Sequence, residues 1–309
     1  MQLGYKLFVR SIKLEKSHLL KLLIVFLIGT FGSGYFIYRE IQLYQSKELV
    51  QKCQEKLNCE GRIAALEKLV KAKKRLTSLN LQSANLQNAN LSGANFVGAN
   101  LQSANLQGAN LENANLENAN LESVNLKSTN LEQANFESTN LANTDLANAN
   151  LIKANLQFAH LSTANLDSTN LVRANLANAY LSSAKLYRAD FYRANLHRAH
   201  LYNANLSNTY LYRANLSRAY LYNADLAKAN LAEANLNNAY LINAQNLTAS
   251  QIKSACYWEN GIYKGVWDVS QFKWVVDEAI NQQYIEKIKQ DKTSNPAQKI
   301  DCSFWERKD

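Results

Sequence analysis

A five-residue repeat constrains this chain more than any other feature. Every fifth position from Leu76 to Leu241 is Leu, or Phe at Phe96, Phe136 and Phe191, through 34 consecutive pentads and 170 residues. A second column in the same register, from Ala84 to Ala244, is Ala apart from Val124, Thr129, Thr139, Thr144, Thr169 and Thr209. Self-similarity at a short fixed period is the mark of a solenoid. Large and small apolar residues two positions apart point to one side of an extended chain, so each Ala-x-Leu faces inward. The remaining residues must bend the chain before the next Ala-x-Leu does the same. A period of five fits neither strand alternation nor a helix, round which it would drift. Asn fills most positions between the Ala and the Leu. It tolerates turn conformations and bonds nearby backbone, and stacked Asn side chains can form ladders between coils.

The units Ala84-Asn85-Leu86-Gln87-Asn88 and Ala109-Asn110-Leu111-Glu112-Asn113 stand close to Ala-Asn/Asp-Leu-x-x, and the segment resembles the pentapeptide-repeat family. The resemblance implies an all-β solenoid: a right-handed quadrilateral β-helix with four pentads, hence twenty residues, per coil. Thirty-four pentads then give about eight and a half coils, ~40 Å long at ~4.8 Å per coil.

The flanks divide the rest into residues 1–45, a tail with a membrane helix; 46–75, a helical N-terminal cap; 76–245, the repeat; and 246–309, a helical C-terminal cap. The net charge of +9 is misleading as a whole-chain figure, because residues 1–75 hold fifteen Lys and Arg against six acids. The repeat and the C-terminal flank each sum to zero. A nucleic-acid binder concentrates its positive charge on the binding domain, so nucleic acid is not an expected partner.

Leu22 to Tyr38 is seventeen uncharged residues between Lys21 and Arg39. That is the short end of a membrane-spanning helix, extended by Leu19 and Leu20 if Lys21 snorkels. A cleaved signal peptide is the rival reading, and no convincing Ala-x-Ala site follows. Five basic residues precede the span and four follow closely, a slight bias towards a cytoplasmic N-terminus and an extracytoplasmic body. Between Ser46 and Arg75 the apolar pattern turns helical. Gly61-Arg62-Ile63-Ala64-Ala65-Leu66-Glu67 resembles the short helix ahead of the repeat in membrane-linked members, and would cover the open first coil. Leu247-Thr248 with Gln251-Ile252 resembles the end of cyanobacterial-type members, and Thr248 is a good helix N-cap. Beyond it, Trp258, Trp267, Phe272, Trp274, Val276, Ile280 and Tyr284 suggest a small helical unit with an aromatic centre.

All four cysteines lie in the flanks: Cys53 and Cys59, then Cys256 and Cys302. An even count confined to small flanks points to two local disulfides in an oxidising compartment. Free thiols in a reducing one are the alternative, and no Cys-x-x-Cys supports zinc.

Twenty-residue coils stack residues twenty apart. One column then runs His160, Tyr180, His200, Tyr220, Tyr240, with Tyr202 over Tyr222 beside it. A second runs Lys153, Arg173, Arg193, Arg213, flanked by Tyr192 over Tyr212, and Arg198 sits over Arg218 on a third face. Charge is −4 from Leu76 to His160 and +4 from Leu161 to Gln245. Tyr and Arg are favoured in binding hot spots, although ring ladders also stabilise themselves. Like charges ~5 Å apart repel, and an anionic partner would relieve that. No base stands beside a nucleophile, His197 and His200 straddle a corner, and neither a catalytic nor a metal site is expected. Family members that mimic DNA and protect gyrase have strongly acidic surfaces, a pattern from which this chain departs. The expectation is a non-enzymatic, membrane-tethered scaffold binding a protein partner through Arg173, Arg193, Arg213, Tyr192, Tyr212, Tyr202, Tyr222, Tyr180 and Tyr220, without a cofactor. Homodimerisation, a cytoplasmic-facing binder of a nucleic-acid enzyme, and an extracytoplasmic sugar- or peptide-binding module remain alternatives.

Overall fold

A computed structural model describes residues 33–53, 58–268, 273–296 and 300–306 of the chain. Each pentad repeats one local solution. The carbonyl of the inward Leu accepts the amide three residues on, as from Ala84 N to Leu81 O at 3.0 Å. The second residue between them is left-handed, with φ of 55° at Ser83 and 58° at Asn88. A single positive φ at the third turn residue is the type II pattern. Left-handed backbone costs a residue other than Gly roughly 1–2 kcal/mol. Ser, Asn and Gly often stand there, yet so do Lys153, Phe158 and Arg173.

The bend therefore falls on the two residues after each Leu and not on the Asn before it. That Asn sits in the bridged segment and works through its side chain. Its Oδ1 accepts the amide two residues on, as from Gln82 N to Asn80 at 3.1 Å. Its Nδ2 donates to the Asn one coil earlier, as from Asn155 to Asn135 Oδ1 at 2.9 Å.

Parallel bridges join residues twenty apart, from Asn80 with Asn100 to Asp225 with Gln245. Each pentad contributes several bonds to its neighbours: Leu81 N to Asn100 O at 2.7 Å, Ser83 N to Gln102 O at 2.8 Å and Asn100 N to Leu79 O at 2.9 Å. The Leu, Phe and Ala columns form one continuous buried core. Thr129, Thr139, Thr144, Thr169 and Thr209 replace Ala there, and each hydroxyl donates to a Leu carbonyl at 2.7–2.9 Å. An unpaired hydroxyl in that place would cost about 1–3 kcal/mol.

Both ends are covered. At the N-terminal end, helix α1 (Ser33–Lys52) packs on α2 (Arg62–Lys71) and the Cys53–Cys59 disulfide joins them. Ala65, Leu66 and Leu69 of α2 enter the core, and Glu67 Oε1 accepts the Asn90 amide at 2.8 Å. α1 runs through the expected boundary at residues 45 and 46. Residues 22–32 of the expected membrane span lie outside the described residues, and among those described no helix is long and apolar enough to cross a membrane.

At the other end the solenoid does not stop at Gln245. Pairing continues from Asn235 to Cys256 and from Tyr240 to Ile262, with short helix α3 (Ala249–Lys253) inserted into that last turn. Thr248 and Gln251 cap α3 reciprocally, and Gln251 Nε2 also donates to the Leu226 and Ala229 carbonyls at 2.8 and 2.9 Å. One side chain thus starts the helix and closes part of the open edge.

The C-terminal flank is not all helical, as the sequence suggested. Strands β1 (Gly265–Asp268) and β2 (Lys273–Val276) form an antiparallel hairpin before α4 (Glu278–Gln290). The expected aromatic centre forms only in part: Trp258 and Tyr284 pack against the core and Tyr284 lies 5.6 Å from Tyr263, whereas Trp274 turns to Tyr222 and Ile280 is exposed. Gly265 lets the hairpin press on the coil. A Cβ there would lie 2.5 Å from Val275 O and 2.7 Å from Ile242 Cδ1.

The inward and outward columns give a direct test. Leu156 is fully buried, so Leu156→Asp puts an unpaired charge in the core and should cost roughly 4 kcal/mol or more. Gln157→Asp, at the adjoining turn, should change thermal stability by less than ~0.5 kcal/mol. Equal losses in the two melting curves would contradict the assignment.

Candidate functional site

The late coils place rings and guanidinium groups in register because their outward positions repeat every twenty residues. His160, Tyr180, His200, Tyr220 and Tyr240 stack at centroid separations of 4.7–5.1 Å. Tyr202 stacks on Tyr222 at 5.3 Å and Tyr192 on Tyr212 at 5.7 Å. Within each stack the ring faces are used by the neighbouring rings, so mainly edges and hydroxyls point outward. A sugar platform needs an open ring face, and this arrangement weighs against the sugar-binding alternative. Tyr222 is only 6 % exposed because Trp274 of β2 stacks on it at 5.8 Å. It is covered by the chain itself, whereas Tyr180 keeps 39 % of its surface exposed.

The Arg column is also partly covered. Glu233 stands one coil beyond Arg213 and accepts Arg213 Nε at 2.6 Å and the Tyr212 hydroxyl at 3.3 Å. Phe304 lies against both guanidinium groups, 5.2 Å from Arg193 and 5.9 Å from Arg213. Trp305 Nε1 donates to Glu233 O at 2.9 Å, and the Cys256–Cys302 disulfide anchors this C-terminal strap. The repulsion expected along the column is thus relieved within the chain at its upper end. Arg173, Arg198 and Arg218 remain exposed. The twenty-residue lattice alone would have located Glu233. Phe304, Trp305 and Trp274 carry no such signal, since they arrive through the disulfide and the hairpin.

His197 does not join His200. Its Nδ1 lies 2.8 Å from Ser217 Oγ on the same corner of the next coil. Burial holds both imidazoles below the usual His value, and Arg198 and Arg218 depress His197 further. At the opposite end, a cleft of about 620 Å³ opens between α1 and the first coil, with Leu43, Val50 and Leu76 along it and Lys47 and Arg75 at its rim.

The fold and outer lattice define a quadrilateral solenoid of five-residue units. The chain belongs to the pentapeptide-repeat family: the model for pentapeptide repeats matches in 8 copies that together run from residue 80 to residue 255, more than half the chain. Solved structures of that type resemble it. HetL, a pentapeptide repeat protein involved in heterocyst differentiation regulation from the cyanobacterium Nostoc sp. strain PCC 7120, is 30 % identical over 65 % of this chain and 96 % of its own, with a TM-score of 0.32. QnrB1, a plasmid-mediated fluoroquinolone resistance protein, is 17 % identical over 56 % of this chain and 78 % of its own, with a TM-score of 0.37. A pentapeptide repeat protein of the Arabidopsis thaliana thylakoid lumen is 25 % identical over 37 % and 68 %, with a TM-score of 0.19. No curated protein matches the chain. At these TM-scores the likenesses add nothing to the family match.

Two outcomes follow from the contacts. Arg213→Ser leaves Glu233 without its cation and should cost ~1 kcal/mol, whereas Arg173→Ser should fall within ~0.5 kcal/mol of the parent. Denaturant unfolding of both variants compares them, and equal losses would contradict the Glu233 pairing. The lowered imidazoles give a pH dependence with a fixed sign. Below about pH 6.5 the unfolded chain binds more protons than the folded one, so stability falls as pH drops towards about 5. A chain with His197→Asn and His200→Asn should lose most of that slope, and an unchanged slope would count against the buried imidazoles.

Proposed function

We propose that the protein is a non-enzymatic scaffold, tethered to a membrane by the apolar segment 22–38, which holds a protein partner on the outer edges of its late coils. One observation carries this reading. The inward positions are satisfied by the chain's own core and backbone, while Arg173, Arg198 and Arg218 stand exposed along two edges, and none makes an ion pair among the described residues. A rigid rod with a row of uncompensated cations suits an anionic protein surface. The aromatic columns serve chiefly to hold the rod together, with Tyr180, Tyr202 and Tyr220 offering edges and hydroxyls beside it. Both disulfides support a body outside the cytoplasm.

The reading predicts three linked results. The full chain should sediment with membranes and resist carbonate extraction, and protease added to intact spheroplasts should reach the body. A photo-crosslinker at Asn178, between the exposed cations, should capture another protein, whereas one at Asn148 on a different corner should not. The Asn178 adduct should vanish with Arg173→Ser, Arg198→Ser and Arg218→Ser together, and weaken as salt rises. Adducts indifferent to those changes, or a body shielded from protease, would contradict the proposal.

A further inference from the structure

One face of the solenoid has a charge order that the rest lacks. Its middle is the Asn ladder, with Asn115, Asn135, Asn155, Asn175 and Asn195 one coil apart. Its two edges are the turns on either side, residues 112–113 and 117–118 in one coil and their equivalents every twenty residues. Take the coil of residues 152–158 as the centre. One and two coils towards the N-terminus, the edges carry Glu132 with Glu137, then Glu112 with Glu117. One and two coils towards the C-terminus they carry Arg173, then Arg193 with Arg198. Acid and base therefore change places about the central coil.

The centre carries an apolar patch on the outside, with Lys153 exposed on one edge beside it. Ile152 and Val172 occupy the turn position that holds Glu112 and Glu132 lower down, and Phe158 is 41 % exposed. Phe158 also has a φ of 59°, a left-handed backbone unfavourable for a bulky ring. Nothing in the fold needs Phe there, since Ser138 and Asn178 hold the same conformation one coil away on each side. Among the described residues, Glu112, Glu117, Glu132, Glu137, Arg173 and Arg198 form no ion pair. The acids accept only amide hydrogen bonds, from Asn113, Asn118 and Asn155.

We infer that this face docks on the same face of a second copy, antiparallel, with the two-fold axis beside Phe158. This deepens the scaffold reading by naming a partner for the same exposed cations. A two-fold axis across the rod, lying in the contact plane, reverses the order of coils and keeps each edge against its own counterpart. Arg198 then meets Glu117 of the second copy and Arg173 meets Glu132, while Arg193 stays under Phe304 of its own chain. Phe158 and Ile152 pack near the axis against their own equivalents, and Lys153 stands beside its own equivalent there, one like-charge contact set against the flanking Arg–Glu pairs. A parallel pairing would instead set Glu against Glu and Arg against Arg. The result has an apolar centre and a charged rim, the usual anatomy of an interface. A face about 17 Å wide and five coils, or ~24 Å, tall has a footprint near ~400 Å² per copy, about half the standard size, so the dimer is weak, roughly micromolar and salt-sensitive.

The test is a charge exchange on the full chain in mild detergent, read by sedimentation equilibrium at concentrations up to ~100 µM, well above a micromolar Kd. The parent chain should dimerise. Glu117→Arg and Arg198→Glu, each alone, should weaken dimerisation at least tenfold. An equimolar mixture of the two variants should restore it as a heterodimer, because every pair is again opposite in sign. Phe158→Cys should cross-link to its own copy under mild oxidation, while Asn148→Cys, on another corner, should not. Circular dichroism of each variant should match the parent, since all these positions are outward turns. A monomeric parent, variants that dimerise as well as the parent, or a mixture that stays monomeric would overturn the inference. A monomeric parent that still gives the Asn178 adduct with another protein would leave the scaffold reading standing without this partner.

Discussion

Everything in this protein depends on the backbone ladder between coils. From Leu76 to Leu226 each inward Leu or Phe donates its amide to a carbonyl nineteen residues on, at 2.6–3.0 Å. That ladder holds only if every coil closes in twenty residues, which requires a bend every fifth residue. The bend requires a left-handed residue, and the chain accepts this strain even at Lys153, Phe158 and Arg173. At roughly 1–2 kcal/mol each, these residues persist because the ladder and the buried Leu, at about 1.5–3 kcal/mol per side chain, over-determine the geometry.

A ladder that pairs with the coils on either side leaves a problem at its ends. The chain answers it twice, by different means. α2 inserts Leu66 and Leu69 over the first coil and offers Glu67 to a free amide. At the far end, pairing is carried on to Ile262 and Gln251 donates to two carbonyls of the last full coil. Each closure is locked by a disulfide, and the second also fixes the strap that brings Phe304 over Arg193 and Arg213. Closing the end and covering the cations are one event.

The solenoid was legible because its signal is local and repeated. Inward Leu and Ala columns, twenty-residue stacking, the Asn ladder and the ring columns all follow from register. The bend falls on the residues outside each Ala-x-Leu, as the spacing required, although its left-handed position accepts Ser, Asn, Arg, Lys and Phe and so carries little Gly signature. The hairpin at Gly265–Asp268 and Lys273–Val276 was read as helix because four-residue strands are too short for periodicity to separate. The covering of Tyr222 by Trp274 and of Arg193 by Phe304 depends on long-range contacts that no spacing encodes. Glu233 is different. It lies on the same lattice as Arg213 and needed only one further step of twenty.

The coil register is the central claim, and double-cysteine cross-linking tests it most directly. Gln102 Nε2 donates to Glu122 Oε2 at 3.2 Å, so these outward side chains meet across neighbouring coils. Gln102→Cys with Glu122→Cys should form a third disulfide under mild oxidation and raise the melting temperature, because stacked positions lie within the ~4.4–6.8 Å that a disulfide spans. Gln102→Cys with Gln107→Cys, five residues apart on adjoining corners, should stay reduced. A disulfide in the five-apart pair, or none in the twenty-apart pair, would contradict a twenty-residue coil.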